Sequence, residues 1–269
     1  MESLFKFEKK MRQEISLEER KKIQLSMLEE IHSFCESHAI RYSISYGTLL
    51  GAVRHKGFIP WDDDVDLMMP LPDMLKFKSE FASDKLKYCD VDTEPYYEYS
   101  FSRISYKPTY RKVGLRCKSY GVNIDLYPVV CLPNSLEEQT AYFEEAERLN
   151  NIRHCYMRWR RRIIRRIPIS TIPGYKHSII KVRDHELFNT VEFETSNVFY
   201  VNSGPISEKD TCLYSYNIFK DTILLPFENL ILRAVSCYDD FLRVCYGDYM
   251  QLPPEEERHP YHGGGYYWL

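Results

Sequence analysis

The sequence has no run approaching the roughly 20 apolar residues that a membrane-spanning helix requires, no internal repeat, no low-complexity linker and no Cys-x-x-Cys pair. Without the apolar run, a transmembrane helix is excluded. Without repeats or linkers, the 269 residues read as one large domain, or one domain with a helical appendage. Without paired cysteines there is no signature of a structural zinc ribbon, and the eight scattered cysteines are expected to be reduced thiols. A strong excess of either charge is missing as well. The formal net charge of -3 argues against a protein built for general nucleic-acid binding. The N-terminal stretch MESLFKFEKKMRQEISLEERKKIQ mixes both signs of charge and holds no apolar core of signal-peptide length, so a soluble cytoplasmic protein is expected.

What is present alternates between helix and strand signals. Ser16-Leu17-Glu18-Glu19 has capping-box spacing, and Ile23, Met27, Ile31 and Phe34 recur at helical intervals, predicting a helix over 17–38. IRYSIS alternates Ile40, Tyr42 and Ile44 with polar neighbours, as a half-buried strand does, and runs into Gly47-Thr48. A short helix is expected over LLGAVRH, a strand through 64–68, and a further helix starting near Pro72. Strand-like runs follow at 86–91, 97–106 and 121–127, then a mostly helical stretch over 136–166. Near the C-terminus, Leu232, Val235, Phe241 and Val244 keep helical spacing up to a stop at Gly247. The expected fold class is α/β, a mixed sheet with additional helices.

Asp62, Asp63, Asp64 and Asp66 fall within five positions and lead into an apolar pair. Clustered carboxylates repel one another and are costly to desolvate, so they call for a solvated loop or a bound cation. On a strand, Asp64 and Asp66 project to one side while Val65 and Leu67 face the core. Two such carboxylates suit Mg²⁺, with Mn²⁺ as an alternative, through hard oxygen ligands. GVNIDLYPV offers a third: Asp125 shares a face with Asn123 and Tyr127 and is the one acidic residue of an otherwise uncharged strand. For an isolated Asp-x-Asp, a loop that only aids solubility is the more common meaning.

Two longer stretches change that balance. YGTLLGAVRHKGFIPWDDDVDLMMP resembles the LicD family, bacterial phosphocholine transferases related to the fukutins, in its Gly-Thr-Leu-Leu-Gly, Arg-His, Phe-Ile-Pro-Trp-Asp-Asp-Asp and Asp elements. YGDYMQLPPEEERHPYH is similar to that family's closing Tyr-Gly-x-Tyr-Met, Pro-Pro, Arg and His pattern. The resemblance implies a nucleotidyltransferase-like catalytic core over 1–135 and a mostly helical region over 136–269 that packs on it and closes the site. It also implies Asp64 and Asp66 as the metal pair, Asp125 as third carboxylate and catalytic residue, and Gly47 and Thr48 as holders of the donor's phosphates. It further implies transfer of phosphocholine from CDP-choline to a sugar hydroxyl of a lipid-linked glycopolymer precursor such as a teichoic acid. Asp62 and Asp63 match the motif too. Which carboxylates touch metal, and which acts as base, stays open at this level.

Other residues are assigned by chemistry. Arg54, and more weakly Arg103, are candidates for donor phosphate because the guanidinium fork matches phosphate oxygens; for Arg54 an exposed helix end is an equal alternative. A quaternary ammonium has no N–H to donate and is held against aromatic faces, which makes Trp61, Tyr96 and Tyr97 a candidate pool, although an aromatic strand face more often packs in a core. Arg258, His259 and His262 belong to the closing motif. Seven arginines between Arg153 and Arg166 suggest contact with an anionic membrane face or a phosphate-rich polymer. The alternative is a solvated face that pairs with the acidic helix before it. Rival functions are a CDP-ribitol or CDP-glycerol alditol-phosphate transferase with the same fold, and a non-catalytic adaptor that binds polyanions.

Overall fold

The computed structural model describes residues 13–113, 117–163, 169–188, 193, 196, 198–201, 213–260 and 265–269. Helix α1 (Leu17–Ser37) starts at the predicted capping box: the Glu19 amide donates to the Ser16 hydroxyl at 3.2 Å, and the Ser16 amide donates to the Glu19 carboxylate at 3.0 Å. Its buried stripe includes Ile23, Met27 and Ile31. Strand β1 is only Ser43–Ile44. Helix α2 (Tyr46–Arg54) begins earlier than expected and takes in Gly47-Thr48. Strand β2 (Asp66–Pro70) is followed at once by α3 (Leu71–Glu80), with Pro72 in its first turn, where the missing amide hydrogen costs nothing.

Strands β3 (Leu86–Cys89), β4 (Ser102–Tyr106) and β7 (Asn123–Cys131) join β1 and β2 in the order β1-β2-β7-β4-β3. β2 and β7 run parallel and the other pairs of this path antiparallel, so the mixed α/β sheet expected from the sequence is the observed architecture. All five residues of β2 are buried, as in a strand covered on both faces. Strands β5 (Thr109–Val113) and β6 (Cys117–Ser119) project as a hairpin.

Beyond residue 135 the described residues form helices and strands alike. Helix α4 (Leu136–Ile163) packs against α5 (Tyr175–Phe188). Strand β8 (Phe199–Val201) pairs with β7, β9 (Leu213–Tyr214) pairs with β8, and β12 (Tyr266–Trp268) pairs with β5. One hydrophobic core takes Met27 from α1, Leu67 and Ile124 from the sheet, and Phe199 and Leu232 from the later segments.

Two expectations are corrected. Leu232 and Val235 are not helical: β10 (Thr222–Phe227) and β11 (Leu230–Val235) make a hairpin, and helix α6 (Tyr238–Tyr246) starts after it. Within β11, Leu232 and Ala234 are buried at a spacing of two, while Ile231 is exposed and Arg233 pairs with Glu36. A short apolar run fits either period, and the long-range pairing decides it. Gly247 ends α6 as predicted, at φ 65°. The second correction concerns the arginine run. It shares one continuous helix, α4, with the acidic residues before it, so acids and arginines succeed one another along an axis. The acidic residues therefore do not form a separate helix before the arginines. Arg165 and Arg166 lie outside the described residues.

Candidate active site

Strand β2 and helix α2 are locked together where the acidic stretch begins. The Asp66 amide donates to the Thr48 hydroxyl at 2.9 Å, and the Ser45 amide donates to the Asp66 carbonyl at 3.0 Å. Thr48 thus has a positioning task at the start of the strand. Tyr46 enters the helix with φ 42°, a conformation that costs a side-chain-bearing residue energy and recurs at functional sites. Gly47 is needed for space: a Cβ there would lie 2.5 Å from Asp62 Oδ2. The Asp62 carboxylate therefore leans over the N-terminal turn of α2, where backbone amides and the helix dipole favour negative charge.

Asp62, Asp63 and Asp64 bring oxygens within 4.8 Å of one another. They then diverge. Asp63 turns inward to Arg20 at 3.1 Å. Asp62, Asp64 and Asp66 line a cavity of about 1020 Å³. Burial, then the charge of Asp64 and a hydrogen bond to it, push the Asp62 carboxyl up to about 7. Asp64 precedes β2 but shares the cavity with Asp66, as the alternation argument expects.

Asp125 is Asp66's register partner on β7, and Arg103 on β4 is the register partner of Asp125, so the three form one row across the sheet. Arg103 grips Asp125 with both arms of its fork, at 2.7 and 2.8 Å. Asn123 Nδ2 donates to the same carboxylate at 2.6 Å, and the Tyr127 hydroxyl is 3.5 Å away. Arg103 also donates to the Tyr120 hydroxyl and lies 3.9 Å from the centre of the Tyr99 ring. These contacts spend Arg103 on the fold. Asp125 and Arg103 line a second, smaller cavity; Asp64 borders both cavities, whereas Asp62 and Asp66 line only the large one.

The opposite wall of the large cavity comes from the C-terminal segment. Arg54 holds it, donating to the carbonyls of Tyr249 at 2.7 Å and Gln251 at 3.2 Å. Arg258 donates to the Pro253 carbonyl at 2.9 Å and sits 5.5 Å from the centre of the Trp61 ring. Trp61, Arg54 and Arg258 thus meet at the cavity. Tyr97 does not join them: it is buried in a separate cluster with Cys89 and Tyr120, its hydroxyl donating to the Phe101 carbonyl at 2.8 Å. Tyr96 is half-buried and lines neither cavity, and His259 is exposed. His262 lies outside the described residues. Sequence reasoning missed four cavity tyrosines, Tyr46, Tyr127, Tyr246 and Tyr249. Three had a signal: Tyr46 directly precedes Gly47-Thr48, and the other two are the tyrosines of the Tyr-Gly-x-Tyr element.

Residues 39–162, which hold Gly47, the acidic stretch, Arg103 and Asp125, match the family model described as LicD/FKTN/FKRP, nucleotidyltransferase domain. The chain carries a LicD-family domain. It is 25% identical over 257 residues to the lipopolysaccharide cholinephosphotransferase LicD of Haemophilus influenzae, an alignment covering 92% of this chain and 96% of that protein. Shorter similarities link the chain to uncharacterized proteins of Rickettsia typhi (40% over 63 residues, 23% of this chain and 20% of that one) and Rickettsia prowazekii (49% over 41 residues, 15% of each). Tyr246, Tyr249 and Arg258 lie beyond the matched LicD limits, although they complete the cavity. No described helix is long and apolar enough to cross a membrane.

Proposed function

We propose that this LicD-family phosphotransferase moves phosphocholine from CDP-choline to a sugar hydroxyl of a lipid-linked surface glycopolymer precursor, of the teichoic acid kind. The observation that carries this reading is the composition of the large cavity: Asp62, Asp64 and Asp66 clustered at one part of its lining, with four tyrosines, Trp61, two arginines and a fourth carboxylate, Asp248, among the rest. The full-length similarity to a lipopolysaccharide cholinephosphotransferase supports the cargo. In the reaction, the acceptor oxygen bonds to the phosphorus that carries choline, the pyrophosphate P–O bond breaks, CMP leaves, and the hydroxyl proton passes to a carboxylate.

The carboxylate wall fits a divalent cation. Its donors are hard oxygens, and Gly47 lacks the Cβ that would push Asp62 away. Asp62, Asp64 and Asp66 would hold Mg²⁺ or Mn²⁺. Bound there, the cation would neutralise charge developing on the phosphate oxygens. Arg54 and Arg258 meet the donor's phosphates with the N–H groups their backbone contacts leave over. Tyr46, Tyr127, Tyr246 and Tyr249 offer ring faces and hydroxyls around the choline end, where a permanent cation is favoured by about 0.5–2 kcal/mol per well-placed ring. Asp125, clamped by Arg103, holds the row on which Asp66 stands. Exposed Arg158 and Trp159 on α4 support a position at the inner membrane face, where a lipid-linked acceptor resides.

The test is CMP release from CDP-choline, CDP-ethanolamine, CDP-glycerol and CDP-ribitol with an acceptor glycolipid and Mg²⁺. CDP-choline is expected to lead by at least tenfold in kcat/KM. Equal turnover of CDP-ribitol would move the assignment to alditol phosphates, and no CMP release from any donor would remove the transferase reading.

A further inference from the structure

Asp64 also borders a second cavity, of about 120 Å³. Its charged lining is balanced: Arg20, Arg103 and Arg111 against Asp63, Asp64 and Asp125. Two of these make closed pairs, Arg20 with Asp63 at 3.1 Å and Arg103 with Asp125 at 2.7 Å. Tyr99 and Tyr266 add aromatic surface. The informative residue is Gln24 on α1. It is 2% exposed and its Nε2 donates to the Asn123 carbonyl at 3.2 Å, yet its buried Oε1 accepts no hydrogen bond. A buried carbonyl oxygen left in that state costs free energy that a donor would recover.

The lining discriminates among ligands. An anion such as phosphate would face three carboxylates, and as a dianion it has no proton to give Gln24. A cation would face three guanidiniums. A neutral hydroxyl can do both jobs, donating to Gln24 Oε1 or a carboxylate and accepting from Arg111, whose Nη1 otherwise reaches the Tyr120 hydroxyl at 3.3 Å. Aromatic and planar polar groups together suit the apolar faces and equatorial hydroxyls of a sugar ring. The volume admits part of one ring and excludes a nucleotide.

We propose that this small cavity is the acceptor subsite, binding a neutral, hydroxyl-rich sugar through Gln24 and Arg111 so that one hydroxyl reaches Asp64, the carboxylate it shares with the donor cavity. This rests on the phosphotransferase reading above and assigns a different compartment to each substrate. Asp64, bordering both cavities, is where the two meet.

The experiment has two arms on the full chain. In the first, saturation-transfer NMR with methyl glycosides of glucose, galactose and N-acetylgalactosamine is run on wild type, Gln24→Leu and Arg111→Met. At least one glycoside is expected to receive saturation in wild type and to lose most of it in both variants, with 10 mM inorganic phosphate failing to displace it. CDP-choline affinity, expected to stay within twofold, shows that each variant is folded; Arg111, only half-buried, provides the second variant should Gln24→Leu unfold. In the second arm, acceptor KM is expected to rise at least tenfold in both variants, with kcat at saturating acceptor within threefold. Displacement by phosphate, no transfer to any glycoside in wild type, or an unchanged acceptor KM each overturns the subsite. Failure of every CDP donor in wild type would instead strike the transferase reading and leave the first arm to decide the sugar site.

Discussion

Two five-residue stretches of this chain are both rich in acid and have opposite fates. Residues 62–66 hold four carboxylates and residues 90–94 hold Asp90, Asp92 and Glu94. The second stretch is neutralised from within. Lys78 reaches Asp90 at 2.5 Å and Asp92 at 3.7 Å, Arg183 reaches Asp92 at 2.5 Å, and Lys87 reaches Glu94 at 2.7 Å. In the first, Arg20 engages Asp63, while Asp62 hydrogen-bonds to the Asp64 carboxyl beside it and faces a cavity. The pKa values part accordingly. Burial raises both Asp62 and Asp90, but at Asp90 the hydrogen bond from Lys78 and the amides of Thr93 and Asp92 outweigh it and hold the carboxyl below its ordinary value. Acid density alone therefore does not mark a site. What separates the two stretches is that Asp62 is met by another carboxyl where Asp90 is met by Lys78.

The largest expected effect tests a carboxylate that does have its cation. Arg103→Met leaves Asp125 charged and buried, and should cost about 3–5 kcal/mol in urea unfolding; a change under about 1 kcal/mol would mean that the clamp is not structural. Next, Asp64→Asn or Asp66→Asn should lower turnover by roughly two to three orders of magnitude, on the scale of removing one preorganised charge stabiliser, without lowering the unfolding midpoint. Asp90→Asn should do the reverse, keeping turnover within threefold and losing about 1–2 kcal/mol, a figure held down because Lys78 is more than a third exposed. If Asp90→Asn silenced the enzyme while Asp64→Asn did not, the contrast between the stretches would be void.

The smallest effect is in pH. Asp62 has a raised folded pKa, so the folded state binds its proton more tightly and the associated stability is lost as pH rises from about 4 through about 7. Asp90, with a depressed folded pKa, gives stability that is present above about 4 and lost as pH falls through the lower folded value. In EDTA, wild type should lose thermal stability between pH 5 and pH 8, by about 2–4 °C if the effect is near 1 kcal/mol for a chain of this size. Asp62→Asn should flatten that slope, and Asp90→Asn should leave it in place. Mg²⁺ should restore the wild-type midpoint more at pH 8 than at pH 5.

Much of this was legible in the sequence wherever the signal is local. The capping box at Ser16, the turn at Pro72, the stop at Gly247 and the acidic run are all set by neighbours within a few residues. The row Asp66, Asp125, Arg103 was not legible, because strand register is decided by pairing between segments tens of residues apart. Tyr97 looked available as one ring of an aromatic strand face, and only the packing of Cys89 and Tyr120 against it shows it buried. The hairpin at Leu232 was hidden because its apolar spacing serves two periods. Arg54 drew notice for its guanidinium alone, and that it holds Tyr249 and Gln251, 195 and 197 residues further along the chain, was not legible.

That last contact sets an order of events in folding. The carboxylate wall is made of residues 62–66, whereas the wall that Arg54 holds is made of residues 246–258. Closing a loop of that length is entropically costly and comes late in folding. Without those contacts the carboxylates would stand in an open trough, because the cavity exists only once these distant segments have met.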